Sequence, residues 1–233
     1  MNSAILECNN LTKKFGAITA VDGVTLTIPR GSIVGLLGSN ASGKSTFLKL
    51  CNRLLTPSGG KISIAGYEPG VESKKLVSYL PEKSYLNDWM KVSDIIGFFA
   101  DFYPDFNKEK AGIMLRKLDL NPQSRLKTMS RGTREKVQLI LVMSREAQLY
   151  LLDEPIGGVD PAARDYILDI ILDHYDPAAT IVLSTHLIAD IERILEQVIF
   201  IREGQVVLNK SVDEIREESG KSVDALFREV FRC

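Results

Sequence analysis

The chain has 233 residues, of which 45% are hydrophobic and 25% charged, and its formal net charge at pH 7 is −1. This composition is typical of a globular protein with a large core, and a near-neutral chain without a long basic run argues against nucleic acid as a partner. No apolar run approaches the roughly 20 residues that cross a bilayer, and no signal peptide is evident. The three cysteines, Cys8, Cys51 and Cys233, are scattered and odd in number, which predicts free thiols and a cytoplasmic location.

Strands and helices alternate along most of the chain. Short apolar runs bounded by turn residues predict strands, and a change to aromatic and helix-forming residues predicts a helical insertion. The predicted strands are 4–8, 24–28, 32–37, a short strand in PSGGKISIAG, 77–80, LYLLDEP, TIVLST and the hairpin QVIFIREGQVVLN, with helices at about 43–53, within about 84–147 and from about 161. Such alternation predicts an α/β fold with a mostly parallel sheet and ligands at the carboxyl ends of its strands.

The segment GSNASGKST has the spacing of a phosphate-binding loop between a strand and a helix. Gly38 and Gly43 let the backbone turn its N–H groups toward one anion, and the helix that follows adds its positive end. Lys44 supplies a mobile cation, Ser45 a hydroxyl for Mg²⁺, and Thr46 a bond to a phosphate oxygen. A chance match in this length is on the order of 1 in 100. The predicted nucleotide-binding residues are therefore Gly38, Ser39, Asn40, Ala41, Ser42, Gly43, Lys44, Ser45 and Thr46.

Two acids follow the apolar run of LYLLDEP, at the carboxyl end of a strand predicted to be buried on both faces. Asp153 is placed to hold a hydrated Mg²⁺. Glu154 is placed to orient an attacking water and take its proton. The alternative is a strand that ends in ordinary surface acids, and it does not explain why a phosphate loop occurs in the same chain.

The order GSNASGKST, SYLPEK, MSRGT, LYLLDEPIGGVD and STH resembles the nucleotide-binding subunit of an ABC transporter, over nearly the whole chain. The resemblance implies one ABC-type ATP-binding domain over 1–233. That domain would contain a P-loop NTPase core, an antiparallel β-subdomain, a helical subdomain at about 84–147 and a helical tail at about 211–233. It also implies two ATP molecules held between two subunits that face each other head to tail.

MSRGT stands where this family has its Leu-Ser-Gly-Gly-Gln signature. By resemblance, Ser130 and Gly132 contact the γ-phosphate of the ATP held by the facing subunit. Arg131 replaces the first signature glycine and Thr133 replaces the glutamine. These two replacements leave the main phosphate contacts in place. They are expected to change how strongly the two subunits hold together in the closed dimer.

Four further roles follow from the resemblance. His186 matches the switch histidine at the γ-phosphate, Asp160 the acid that links the two sites of the dimer, and Phe15 the aromatic residue that stacks on adenine. Glu82 replaces the usual glutamine and could still bind Mg²⁺. The alternatives are a satisfied structural histidine, a helix N-cap at Asp160 and a core phenylalanine.

We therefore predict a subunit that binds and hydrolyses ATP and drives transport, in the direction of export, through a separate integral membrane permease. Its cofactors are ATP and Mg²⁺, with Ser45, Glu82 and Asp153 as metal ligands and Lys44, Glu154 and His186 as catalytic residues. Its partner is a second ATP-binding subunit, in a homodimer or a pseudo-symmetric pair, on the inner face of the cell membrane. The alternatives are a soluble ABC-type ATPase of DNA repair or translation and a P-loop kinase.

Overall fold

The structure is a computed structural model that describes residues 4–231, apart from the side chains at positions 162 and 163. The predicted free thiol of Cys233 lies outside the described residues. In chain order the elements are β1 (Ala4–Phe15), β2 (Ile18–Pro29), β3 (Ile33–Leu37), α1 (Lys44–Cys51), β4 (Gly59–Ile64), α2 (Val71–Leu76), β5 (Val77–Leu80), α3 (Val92–Phe102), α4 (Lys108–Lys117), α5 (Arg131–Met143), β6 (Leu149–Asp153), α6 (Pro161–Asp173), β7 (Thr180–Thr185), α7 (Ile188–Ile191), β8 (Gln197–Arg202), β9 (Gln205–Ser211), α8 (Val212–Ser219) and α9 (Val223–Val230), with 3₁₀ turns at Leu126–Thr128 and Glu192–Ile194.

A six-stranded sheet with the order β5-β6-β7-β3-β8-β9 forms the centre of the fold. The first five strands in this order are parallel, and β9 pairs with β8 in the antiparallel sense. Every residue of β3, β6 and β7 is buried, because both faces of the sheet are covered. The carboxyl ends of β3, β5, β6 and β7 therefore meet at one edge, as the sequence predicts.

A second sheet, with the order β2-β1-β4, is antiparallel. Its first two strands have 12 residues each, so the predicted strands 4–8 and 24–28 are too short. The strand β1 continues through the polar pair Asn9-Asn10, with a shift of register between Cys8 and Leu11 and a positive φ of 48° at Asn10. A bulge of this kind interrupts the alternation of apolar residues without ending the strand.

The helices α3, α4 and α5 lie between positions 92 and 143, and the region 84–147 contains no strand in the described part of the chain. The predicted fold class, with a mostly parallel sheet, an antiparallel sheet and a helical region, is confirmed. The helix α2 was not predicted, because its six residues are too short for an apolar periodicity to show.

Two hydrophobic cores lie on opposite faces of the central sheet. Leu36 and Leu151 belong to the core shared with α1 and the antiparallel sheet. Their neighbours Leu37 and Leu152 belong to the core shared with the helical region. The strands that carry the candidate site are thus held from both sides.

Arg145, directly after α5, fastens the helical region to the edge of the central sheet. Its guanidinium donates to the carboxylate of Asp105, with Nη2 and Oδ2 2.9 Å apart, and to the backbone carbonyls of Lys75 and Val77. A buried guanidinium with all of these acceptors is well satisfied. The start of β5 is therefore tied to the helices.

Candidate active site

A cavity of about 560 Å³ opens at the carboxyl edge of the central sheet. It is lined by most of the residues that the sequence predicts, namely Phe15, Asn40, Ala41, Ser42, Gly43, Lys44, Ser45, Thr46, Glu82, Asp153, Glu154 and His186. Gly38 and Ser39 lie beside it and contact Lys44. Ser130, Gly132 and Asp160 do not line it.

The phosphate loop runs from the end of β3 to the start of α1, and close backbone contacts fix its shape. A Cβ atom at Gly38 would lie 2.4 Å from the carbonyl oxygen of Ile201, and one at Gly43 would lie 2.4 Å from that of Ala20. Gly43 also has a positive φ of 111°, which favours glycine. Both glycines are thus required by neighbouring backbone as well as by the curl of the loop.

Lys44, the first residue of α1, is 6% exposed. Its ammonium donates to the carbonyl oxygens of Gly38 at 2.8 Å and Ser39 at 3.1 Å, and its Nζ lies 3.8 Å from Oε1 of Glu154. Burial lowers the pKa of Lys44, and the negative charge of Glu154 offsets part of that shift. The loop therefore holds a cation that incoming phosphates can recruit.

Asp153 ends β6 and is 1% exposed. Its Oδ1 accepts hydrogen bonds from Ser45 Oγ at 3.0 Å and Ser184 Oγ at 2.6 Å. Its Oδ2 is buried and has no hydrogen-bond partner among the described residues. Burial raises the pKa of this carboxyl, and the two serine hydroxyls offset part of the shift.

The oxygen atoms of Asp153 and Ser45 are suitable ligands for Mg²⁺. A buried carboxylate oxygen without a partner needs an ion or a water, and the hydroxyl of Ser45 lies 3.0 Å from the other oxygen of the same carboxylate. Residues 4–231 contain no cluster of three or more His, Cys, Asp or Glu side chains that could hold a metal. Mg²⁺ does not require one, since it commonly takes one or two protein oxygens and completes its shell with phosphates and water.

Glu154 has a left-handed backbone, with φ of 51°, which is uncommon for a residue with a side chain. Its N–H donates to the carbonyl and to the hydroxyl of Ser184, at 3.0 and 3.2 Å. Its carboxylate accepts from Thr185 Oγ1 at 3.2 Å and lies 3.1 Å from Nδ1 of His186. The strained backbone and these three residues aim the carboxylate at the cavity.

The site has the features of an ATP-binding protein. Comparison of the chain with known proteins leads to the same conclusion. A family model for ABC transporters matches residues 21–157. The chain belongs to the ABC transporter family. Its members include an uncharacterized ABC transporter ATP-binding protein of Methanocaldococcus jannaschii, which is 30% identical over 215 residues, 90% of this chain and 79% of that protein. The linearmycin resistance ATP-binding protein of Bacillus subtilis is 24% identical over 211 residues, 87% of this chain and 68% of that protein.

A solved structure described as the ATP-binding subunit of an ABC transporter superposes with a TM-score of 0.86 at 30% identity, and covers 98% of this chain and 100% of that one. The resemblance to ABC transporter ATP-binding subunits is therefore confirmed, and with it the P-loop fold and the class of ATPase. Among the described residues, the helices are all too short or too polar for a membrane crossing.

The segment MSRGT, which resembles the ABC signature, lies at the start of α5. Ser130 is the N-cap, and its hydroxyl accepts from the N–H of Thr133 at 3.2 Å. Arg131 is the first helical residue, and its Nε donates to Glu135 Oε1 at 2.8 Å. The side chain of Arg131 reaches the rim of the chain's own cavity, whereas the resemblance points Ser130 and Gly132 at a facing subunit.

Sequence reasoning missed the two hydroxyl residues that hold the acids of this site. Ser184 and Thr185 appear in the STH motif, but only His186 was assigned a role. Two hydroxyl residues directly after the apolar run TIVL are the signal that could have found them. Their bonds to Asp153 and Glu154 cross 31 positions of sequence, and the sequence alone does not show that β6 and β7 are neighbours.

Proposed function

We propose that this chain is the ATP-hydrolysing subunit of an exporter, and that it works with a second copy of itself and a separate integral membrane permease. The observation that carries the proposal is the convergence of Lys44, Asp153, Glu154 and His186 on one cavity beside the phosphate loop. Positioned charge of this kind is what phosphoryl transfer requires.

ATP would lie along the cavity from Phe15 to Glu154. Phe15 is exposed at the rim, and the ammonium of Lys13 lies 5.0 Å from the centre of its ring. An exposed ring can stack on adenine without displacing a core residue. The backbone N–H groups of the loop and the N-terminus of α1 would then receive the phosphates, and Lys44 would exchange its carbonyl partners for phosphate oxygens.

Hydrolysis would place a water between Glu154 and the γ-phosphorus. As its oxygen bonds to phosphorus, the bond to the β,γ-bridging oxygen breaks, ADP departs, and Glu154 receives the proton of the water. Mg²⁺ held by Ser45 and Asp153, with Glu82 nearby, would neutralise phosphate charge. Thr185 and His186 position the carboxylate: the hydroxyl donates to Oε2, and the Nδ1–H tautomer of the imidazole donates to the same group.

The proposal of a second copy is supported by residues that do not line the chain's own cavity. Ser130 and Gly132 match the signature and yet do not line the cavity, and neither does Asp160. A facing copy that presents its own signature would complete each site. We therefore propose a head-to-tail homodimer that closes on two ATP molecules.

An exposed aromatic surface on α3 supports a membrane partner. Phe98 and Phe102 are exposed and stack with their ring centres 6.1 Å apart, and Trp89 is also exposed. Large exposed apolar side chains of this kind mark interaction sites. We propose that this surface receives a helix of the permease, which would place the chain on the cytoplasmic face of the membrane.

The direction of export is supported by the Glu82 variant of the family glutamine and by one relative, whose name links it to linearmycin resistance. A soluble ATPase of DNA repair or translation is not favoured, because the relatives reported above are named as ABC transporter or resistance ATP-binding proteins.

Two measurements test the proposal. The purified chain should hydrolyse ATP in the presence of Mg²⁺, and a tagged chain should co-purify from detergent-solubilised membranes with a polytopic membrane protein. Replacing Phe98 and Phe102 with serine should release that membrane protein and leave the basal ATPase rate unchanged. Co-purification with nucleic acid, or retention of the membrane protein by the double variant, would contradict the proposed partner and its surface.

A further inference from the structure

The turn between β8 and β9 touches the phosphate loop, although it lies outside the nucleotide-site motifs of the sequence. It consists of two residues with positive φ, Glu203 at 52° and Gly204 at 80°, between the paired residues Arg202 and Gln205. This is the geometry of a two-residue type I′ hairpin turn, which prefers glycine at its second position. The tip of the hairpin points at the cavity side of the fold.

Three backbone segments meet at Gly204. Its N–H donates to the carbonyl of Ser42 in the phosphate loop at 2.9 Å, and its carbonyl accepts from the N–H of Asp22 in β2, also at 2.9 Å. A Cβ atom at Gly43 would lie 2.4 Å from Ala20 O and 3.4 Å from the Cα of Gly204. The turn is therefore wedged between the loop and the strand that follows the Phe15 hairpin.

The close packing around the turn leaves no room for a side chain at Gly204. A Cβ atom at Gly204 would lie 3.0 Å from the carbonyl carbon and oxygen of Ala20 and 3.1 Å from the Cα of Val21. These are backbone atoms, so they cannot rotate away as a side chain would. Either β2 or the turn would have to move by a few tenths of an ångström, and the turn carries the peptide of Ser42 with it.

We propose that Gly204 is a positioning residue for the phosphate loop: its backbone holds the Ser42–Gly43 peptide at the distance from β2 that phosphate binding needs. This inference rests on the proposed role of the loop in ATP binding. Gly204 would not touch the nucleotide. It would set the geometry of the backbone N–H groups that do, and a hydrogen bond weakens steeply as its angle departs from linearity.

The chain supplies a matched control in the turn after β4. Ala65 and Gly66 have φ of 50° and 84°, and the residues on either side, Ile64 and Tyr67, pair in the antiparallel sense. The turn is thus of the same type, but a Cβ atom at Gly66 would have no described atom within 4 Å. Substitutions at Gly66 therefore carry the same backbone strain without the close contact.

The experiment compares Gly204→Ala and Gly204→Asn with Gly66→Ala and Gly66→Asn. Asparagine tolerates the left-handed backbone better than alanine, so an effect that both Gly204 variants share reports the contact and not the strain. Dissociation constants are measured by calorimetry for Mg²⁺ with ATP and for Mg²⁺ with tripolyphosphate, which can touch the loop but has no base. Hydrogen exchange of the loop is measured in the nucleotide-free protein.

We expect both Gly204 variants to bind ATP and tripolyphosphate roughly fivefold or more weakly, and their loop amides to exchange faster. Both Gly66 variants should stay within about twofold of the wild type. Equal affinities in the two series would overturn the proposal. A loss for ATP alone would also overturn it, because the turn would then act on the side of the base.

Two outcomes need separate treatment. If the Gly204 variants do not fold, Gln205→Ala is used, which removes the exposed bond from Gln205 Nε2 to Asp22 Oδ2 at 2.7 Å. Faster exchange of the loop amides in that variant supports the proposal and unchanged exchange overturns it. If the wild type binds neither ATP nor tripolyphosphate, the proposed function fails. The exchange measurement still decides whether the turn holds the loop.

Discussion

Replacing Asp153 with asparagine should make the protein more stable than the wild type when nucleotide is absent. With nucleotide and Mg²⁺ bound, the variant should be less stable than the wild type. The carboxylate is almost fully buried beside two further acids, Glu82 and Glu154, and both of them raise its pKa after the larger effect of burial. Asparagine has the same shape. Its amide oxygen can still accept from Ser45 and Ser184, so the substitution removes the charge and keeps the packing.

The size of the effect follows from the two carboxylate oxygens. Oδ1 is satisfied by two hydroxyls, and the amide oxygen would retain these bonds. Oδ2 has no partner among the described residues, and an unsatisfied buried polar group costs about 1–3 kcal/mol. The amide nitrogen would also lack an acceptor there, so only the charge-dependent part is recovered. We expect a gain of about 1 kcal/mol, or about 2–4 °C in Tm for a chain of this size.

When Mg²⁺ and a non-hydrolysable ATP analogue are added, the wild type should become more stable than the variant. Ligand at 100 times its dissociation constant stabilises a protein by about 2.7 kcal/mol, and the variant would lose the share that its metal ligand contributes. Thermal unfolding is followed in EDTA and in Mg²⁺ with the analogue. The control is Asp165→Asn, which removes an exposed carboxylate paired with Arg193 and should change Tm equally in both conditions.

Two results would refute this reasoning. A variant less stable than the wild type in EDTA would mean that the buried charge stabilises the empty site. A variant that gains as much from Mg²⁺ and the analogue as the wild type does would mean that Asp153 does not hold the metal.

Three further predictions concern the same site. Glu154→Gln should lower the hydrolysis rate by about two to four orders of magnitude while ATP binding survives, since the amide keeps its contact with Thr185; a normal rate would remove Glu154 as the base. Lys44→Ala should weaken ATP binding itself, because it deletes the cation beside the loop, and an unchanged dissociation constant in equilibrium dialysis would contradict its role. ATPase activity of the isolated chain should rise faster than linearly with its concentration, because each site needs the signature of a second copy; strict proportionality in samples that sedimentation shows to be monomeric would exclude a composite site.

The phosphate loop could be predicted from sequence because its constraints are local. Nine consecutive residues supply the glycines, the lysine and the hydroxyls, and a strand and a helix flank them. Asp153 and Glu154 were found for the same reason, since an apolar run directly precedes them. In each case the chemistry lies within one short segment, where spacing along the chain is also spacing in the fold.

The contacts that complete the site are not local, and sequence reasoning missed them. The bond between Ser184 and Asp153 joins residues 31 positions apart, and that between Gly204 and Ser42 depends on β8 lying next to β3. Serine and glycine are common residue types at such places. A serine near the end of a strand or a glycine in a hairpin turn has a sufficient local explanation, so the sequence gives no sign of a second role.

Arg131 shows what a departure from the family signature changes and what it leaves intact. It is the first residue of α5 and has helical backbone, so the usual glycine is not needed here for conformational freedom. A cation at a helix N-terminus is unfavourable, but Glu135, one turn later, pairs with it at 2.8 Å and offsets part of that cost. Gly132 next to it stays open, since a Cβ atom there would meet no described atom within 4 Å. The substitution therefore alters the charge at the start of α5 and leaves the backbone of Ser130 and Gly132 accessible to a facing nucleotide.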